Sequence, residues 1–592
     1  MFVFSRLHTA RLLTALLFFA TPAALFAQAG DAPVRMASPG ATPTVFDAPD
    51  VVKRYQATIT PEDLAAHLYL FASDLFEGRE TTTRGQKLAA RYLAAQYRKM
   101  GLEPRGTAET DDPMAPEAYF QPFTVYGRRL REARLTVNAG GAPVATSVFS
   151  PTEHDDQAYF AFGAVPEVSA GVVFGGYGIA DDELGFNEYA ALEARGIDYS
   201  DKWLLILRDE PLKDAETSLL PTPDHAPSSW TTGSANAKIQ RLMQGGLPRG
   251  ILLVNDVGPR ADRSVAEMAA EAAARQGGVG NLSLQPQDGG FRFPPIYVIS
   301  SAFADKILAP TGRTLAEVKA EIDTNLKPVV FEVEGTTVES KLSYETYEAT
   351  TENVIAFIEG SDPALKDEVV VVSSHYDHIG RTQGEGDTIN NGADDDGSGT
   401  VSVLEIAEAF ARAKADGYGP RRSVLFLNVT GEEKGLLGSQ YFTDTEPVVP
   451  LENVVTDLNI DMIGRRDPTY PGDRPDNYVY IIGSNLISRE LHEINERVNQ
   501  VTGLDLDLNE RFNTKDDPNQ FYRRSDHWNF GKHNIPFIFF FNGTHEDYHG
   551  LDDEPEKIDY PQMANRARLI FATAWQVANQ DAPPAVSGQG FN

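Results

Sequence analysis

From residue 353 onward the chain reads as unbroken apolar runs separated by helical stretches. The runs are 353–358 (NVIAFI), 368–374 (EVVVVSS), 423–429 (SVLFLNV) and 535–541 (IPFIFFF). A strand with one wet face alternates apolar and polar residues. These do not, so both of their faces must be covered. Helical patterns between them, such as 400–414, supply the covers. Strands and helices in this alternation predict a three-layer α/β/α domain on a mostly parallel sheet. Ligands of such sheets bind beyond the carboxyl ends of the strands, and every chemical motif below follows an apolar stretch.

The first motif is His375-Tyr-Asp377-His378. A neutral imidazole there can ligate a metal through one nitrogen, while Asp377 accepts the proton of the other and fixes the tautomer. The second, Gly392-Ala-Asp394-Asp395-Asp396-Gly-Ser-Gly, opens the helical stretch. Three consecutive carboxylates repel one another unless cations or the helix N-terminal dipole offset them. The third is Gly431-Glu432-Glu433-Lys-Gly435. Adjacent glutamates point in different directions, so one can bind metal while the other keeps a lone pair for the proton of an attacking water. Asn459-Ile-Asp461-Met and Asp547-Tyr548-His549-Gly-Leu-Asp552-Asp553 close further stretches, with Tyr522-Arg523-Arg524-Ser525-Asp526-His527 between them. Two histidines and three acids arriving in turn after parallel strands make an N/O site able to hold two zinc ions.

At 592 residues the chain exceeds one hydrophobic core, so several domains are expected. Arg6 and Arg11 before the apolar stretch 12–26, with Ala27-Gln28-Ala29 behind it, predict a signal peptide at 1–29. Export to the periplasm or medium follows, with no stable membrane insertion after cleavage. A linker is expected at 30–55, the first part of the catalytic domain at 56–150, its main part at 336–580 and a flexible tail at 581–592. The intervening 151–335 has Gly- and Asp-bounded strands at 170–179, 202–208 and 250–256 but no ligand-spaced cluster, which predicts a non-catalytic insertion. With 85 Asp and Glu against 52 Lys and Arg, the net charge of −33 repels nucleic acid and anionic membranes. There is no cysteine, so a metal must be held by N and O ligands. Nothing in the sequence sets the oligomeric state.

The ordered series His-x-Asp, Gly-Ala-x-Asp-Asp-x-Ser-Gly, Gly-Glu-Glu-x-Gly-Leu-x-Gly-Ser, Asp-Met and Tyr-His-x-x-x-Asp resembles the bacterial aminopeptidase and glutamate carboxypeptidase family of co-catalytic zinc peptidases, over about 340–580. The first helices (60–101) also resemble the leader of its bacterial members, and 151–335 resembles a β-rich protease-associated domain. The resemblance implies a hydrolase that cuts peptides at a chain terminus with two zinc ions. It places one ion on His375 and Asp461 and the other on Glu433 and His549, with Asp395 bridging. Glu432 would be the general base, Tyr548 an oxyanion donor, Asp377 and Asp553 the partners of the two ligand histidines, and Asp396 a supporting acid. Related glutaminyl cyclases use a single zinc, and a receptor-like binding protein on the same fold would hold none. An aminopeptidase is favoured, because Asp394, Asp396, Asp547 and Asp552 lie near the ligands and suit a substrate ammonium. Arg523 and Arg524 are the candidates for gripping a carboxylate in a carboxypeptidase.

Overall fold

The computed structural model describes residues 42–276, 279–286, 293–382 and 386–588, which lie in one compact unit. The expected signal peptide, the linker up to 41 and the end of the tail fall outside the described residues.

Helix α1 (Pro61–Phe71) starts where the Thr60 side chain accepts from the Asp63 N–H and Pro61 takes the first helical position. Helix α2 (Arg84–Lys99) follows, and two very long strands, β1 (Phe120–Ala139) and β2 (Phe331–Ile358), pair antiparallel. Then come β3 (Val369–His375), α3 (Gly399–Ala415), β4 (Ser423–Val429), α4 (Leu437–Asp444) and β5 (Val454–Ile460). The chain continues through β6 (Tyr478–Ile482), α5 (Arg489–Thr502), β7 (Asp507–Asn509), β8 (Phe537–Phe541) and α6 (Tyr560–Asn579). The sheet order is β7-β6-β8-β5-β3-β4-β2, with β4, β3, β5 and β8 mutually parallel.

Alternate residues of β3 feed opposite cores. Val370 and Val372 pack with α1, α3 and α6, whereas Val369 and Val371 pack with Phe442 of α4 and Phe530. Both faces are therefore covered, as the unbroken apolar run requires. Burying each valine contributes about 1.5–3 kcal/mol as an upper bound. The run 353–358 differs from expectation: it is the last part of β2 and lies antiparallel to β4.

Residues 151–335 add strands Glu167–Phe174, Trp203–Leu207, Gly250–Val254 and Ile296–Ile299, parallel to one another, with helices between them. They continue the same sheet beyond β2, and Trp203 donates its indole N–H to the Val338 carbonyl of β2 at 2.9 Å. Among the described residues, no helix is long and apolar enough to cross a membrane.

Candidate metal centre

The carboxyl ends of the parallel strands converge on one cluster. His375 ends β3, Asp461 follows β5 and the Glu432–Glu433 turn follows β4. The three acids lie in the tight turn Ala393–Ser398 that leads into α3. That turn needs Gly392, whose φ is +57° and where a Cβ would stand 2.4 Å from the Asp395 carbonyl oxygen and 2.5 Å from the His378 ring. Asp395 sits at the middle of the cluster. Its Oδ1 is 3.3 Å from His375 Nε2 and its Oδ2 is 3.1 Å from His549 Nε2. On the first side, Asp461 Oδ2 lies 3.6 Å from His375 Nε2 and Glu432 Oε2 lies 3.9 Å from it. On the second, Glu433 Oε2 is 3.2 Å from His549 Nε2.

The donor set fits a cation pair. His375 Nε2 is buried and makes no well-directed hydrogen bond, although the carboxylates of Asp395, Asp461 and Glu432 surround it. Such a crowd of anions around one nitrogen is costly unless positive charge fills it. Burial disfavours charged His375 and His549, yet the adjacent carboxylates prevail, raising His375 well above the usual imidazole range and His549 to about 10. Glu433 is likewise pushed up by burial but brought down to about 2 by hydrogen bonds from His378 and His549. Glu432 goes the other way, well above the carboxylate range, through burial and the neighbouring charges of Glu433, Asp526 and Asp461.

The supporting shell differs in part from expectation. Asp377 accepts from Thr81 Oγ1 at 2.7 Å and from the Glu432 N–H at 3.3 Å, with its Oδ1 3.9 Å from His375 Nδ1. Asp553 was expected beside His549. Instead it accepts the backbone N–H groups of Asp394 and Asp395, so it fixes the turn that presents Asp395. Asp396 accepts from the Gly399 and Met462 N–H groups and also comes within 4.8 Å, as a possible ligand, of His375 and Asp461. Asp394 accepts from the Gly464 N–H, and Asp547 pairs with Arg465 and Lys557, so neither acid offers itself to a substrate ammonium.

One participant, Arg79, carried no sequence signal of its own, and Ser525 and His378, named only within their motifs, support the ligands. Arg79 is fully buried and donates to the carbonyls of Phe71, Tyr376, Asn391 and Gly392, tying two motif loops together. Ser525 donates to Asp461 at 2.7 Å. His378 Nδ1 lies 2.9 Å from Glu433 Oε1, which leaves Oε2 facing His549.

Two concavities flank the Glu432–Glu433 turn. A cup of about 30 Å³ is lined by Asp395, Glu432, Asp461, Tyr548 and His549 together with Met462, Phe521, Phe539 and Phe541. Arg524 also lines it and donates to the Tyr548 hydroxyl at 3.3 Å, whereas Arg523 turns away to Gln520. On the other side, a cleft of about 550 Å³ opens beside Glu433 and Lys434.

His527 belongs to the core. It stacks on Phe539 with centroids 4.6 Å apart, and burial holds its imidazole down at about 3, a hydrogen bond to the Tyr522 carbonyl opposing this weakly. Between pH 6.5 and 3 the unfolded chain therefore takes up a proton that the folded one refuses. The stability this group supports above pH 6.5 is lost as pH falls through that window, at up to about 1.4 kcal/mol per pH unit. His527→Phe should flatten the acid limb of the stability profile by that slope in urea titrations at pH 4 to 7. An unchanged slope would show that the ring is protonated in the fold.

Comparison with known proteins gives the cluster its relatives. Residues 353–574 match the model of Peptidase family M28. Leupeptin-inactivating enzyme 1 of Streptomyces exfoliatus is 36% identical over 122 residues, 21% of this chain and 25% of its own. A probable zinc metalloprotease of Pyricularia oryzae is 29% identical over 271 residues, 40% of this chain and 51% of its own. Leucine aminopeptidase 2 of Arthroderma otae is 27% identical over 249 residues, covering 38% and 44%. The chain thus spans between a quarter and about half of these relatives. The fold also matches the structure of an aminopeptidase from Aneurinibacillus sp. strain AM-1, at 17% identity and a TM-score of 0.51, over 90% of this chain and 98% of that one. The segment that matches the Peptidase family M28 model carries every metal-ligand candidate.

Proposed function

We propose that the protein is an exported two-zinc exopeptidase that removes residues from the amino end of peptides. The observation that carries this reading is Asp395, one carboxylate whose two oxygens face two separate ligand groups. His375, Asp395 and Asp461 would hold one ion, and Asp395, Glu433 and His549 the other. Zinc bound there supplies Lewis-acid polarisation of the scissile carbonyl and acidifies the attacking water. Glu432 is left free of ligand duty: it takes the water's proton and returns it to the leaving amine. Tyr548 accepts from Arg524, so its own hydroxyl proton is available to a developing oxyanion. Asp377 holds the His375 loop through Thr81 and the Glu432 N–H. The aromatic wall of the cup suits an apolar first side chain.

Residues 151–335, read as a protease-associated domain, add no residue to the candidate ligand groups among the described residues and shape access to them. One observation favours the opposite polarity: Arg524 lies in the cup, where it could pair with a terminal carboxylate. The test sets a leucyl chromogenic amide against an N-blocked peptide with a free C-terminus, on protein loaded with zinc. The amide should be cleaved and the blocked peptide spared. The reverse pattern would make the protein a carboxypeptidase, with Arg524 as the anchor.

A further inference from the structure

The cup has no room for more than the first side chain, so the rest of a peptide substrate must leave the centre by another route. The cleft beside Glu433 is the space of the right size, within the ~300–1,000 Å³ of ordinary ligand sites. One wall comes from β1 and β2 through Arg128, Leu130 and Tyr344. Another comes from the insertion, through residues 160–163 and 280–282.

Arg128 stands out in this wall. Its guanidinium lies over the Tyr344 ring, 4.0 Å from the centroid, and its Nε is buried without a hydrogen-bond partner. No carboxylate lies within ion-pair distance of it among the described residues. Its neighbours Arg131 and Arg134 do have such partners, Glu345 and Glu132. Glu348 lines an adjoining cavity with Arg128 but forms no ion pair with it. Lys434, the other cation of the cleft, is committed to Glu80 at 2.8 Å. In a chain of net charge −33, an unpaired, half-buried guanidinium facing a cavity is an anion site.

We propose that the cleft receives the part of the peptide on the leaving side of the scissile bond, and that Arg128 binds a carboxylate which that part carries. The proposal rests on the aminopeptidase reading above. The carboxylate can be the C-terminus of a short peptide or an acidic side chain in a longer one.

The experiment uses the zinc-loaded full chain. Leu-Gly-Gly-Gly is compared as acid and as amide, and Leu-Gly-Glu-Gly amide with Leu-Gly-Gln-Gly amide. A preference of about tenfold in kcat/KM is expected for a carboxylate-bearing member, the scale of one charge-assisted contact. Preference in the first pair identifies the chain terminus, and preference in the second identifies the side chain. Arg128→Gln should erase the preference by lowering the carboxylate substrate far more than its neutral twin. Titration calorimetry of the zinc-loaded Glu432→Gln variant with Gly-Gly-Gly, acid against amide, reads the same discrimination without turnover. Equal handling of both pairs by the wild type overturns the proposal, as does an Arg128→Gln loss shared equally by charged and neutral substrates. A carboxypeptidase would also prefer the acid of the first pair, but it would release glycine from the carboxyl end and no leucine, so the residue released, read by mass, keeps a failure of the polarity distinct from a failure of this proposal.

Discussion

Glu432→Gln should bind metal as the wild type does and lose about 10²–10⁴-fold in turnover, the usual worth of a positioned acid–base group. The glutamine keeps the size and one hydrogen-bond acceptor of the side chain but cannot take a proton. Glu432 Oε2 stands 3.9 Å from His375 Nε2, farther than the oxygens of Asp395 and Asp461, so the ligand set survives its replacement. The two measurements are zinc per chain by elemental analysis and hydrolysis of the leucyl amide. Activity within tenfold of wild type would remove Glu432 from the chemistry, and loss of zinc would make it a ligand.

Asp395→Ala should fail at the earlier step. The side chain faces both histidines, and its carboxyl is held well below the usual range by His375 and His549 against the cost of burial. Removing it leaves each ligand group one anion short. Zinc content should fall below the wild-type level in dialysed protein, and turnover by on the order of 10³-fold or more, since several kcal/mol of charge stabilisation go with the metal. Chelation of the wild type should reproduce the loss and added zinc should restore it, while the variant stays inactive. A variant that retains two tightly bound ions would show that Asp395 does not bridge.

What could be read from the residues was what local chemistry fixes. Val369 to Val372 announce a strand buried on both faces, and the motifs that close such strands lie where a parallel sheet gathers its ligands. What escaped depends on partners far along the chain. The family resemblance implies that Asp553 is a histidine partner, yet it serves the backbone of Asp394 and Asp395. Asp547 looks free for a substrate until Arg465 and Lys557 are seen beside it. Arg79 has no motif around it, because its partners are carbonyl oxygens that any residue could supply. The joining of 353–358 to a 28-residue strand was hidden because polar alternation along 331–352 reads as a separate, half-exposed segment.

Arg79 and Thr81 also say something about time. They hold Gly392 and Asp377 from 313 and 296 residues away, and Asp553 holds Asp395 from 158. Contacts across such spans form late in folding, because the entropy of closing long loops must be met before the contacts reward it. The centre has its full geometry only where the segments that carry Arg79, Thr81 and Asp553 are docked on the sheet. A partly folded chain therefore holds the ligands without their geometry, and the proposed hydrolysis stays latent until the molecule is nearly complete.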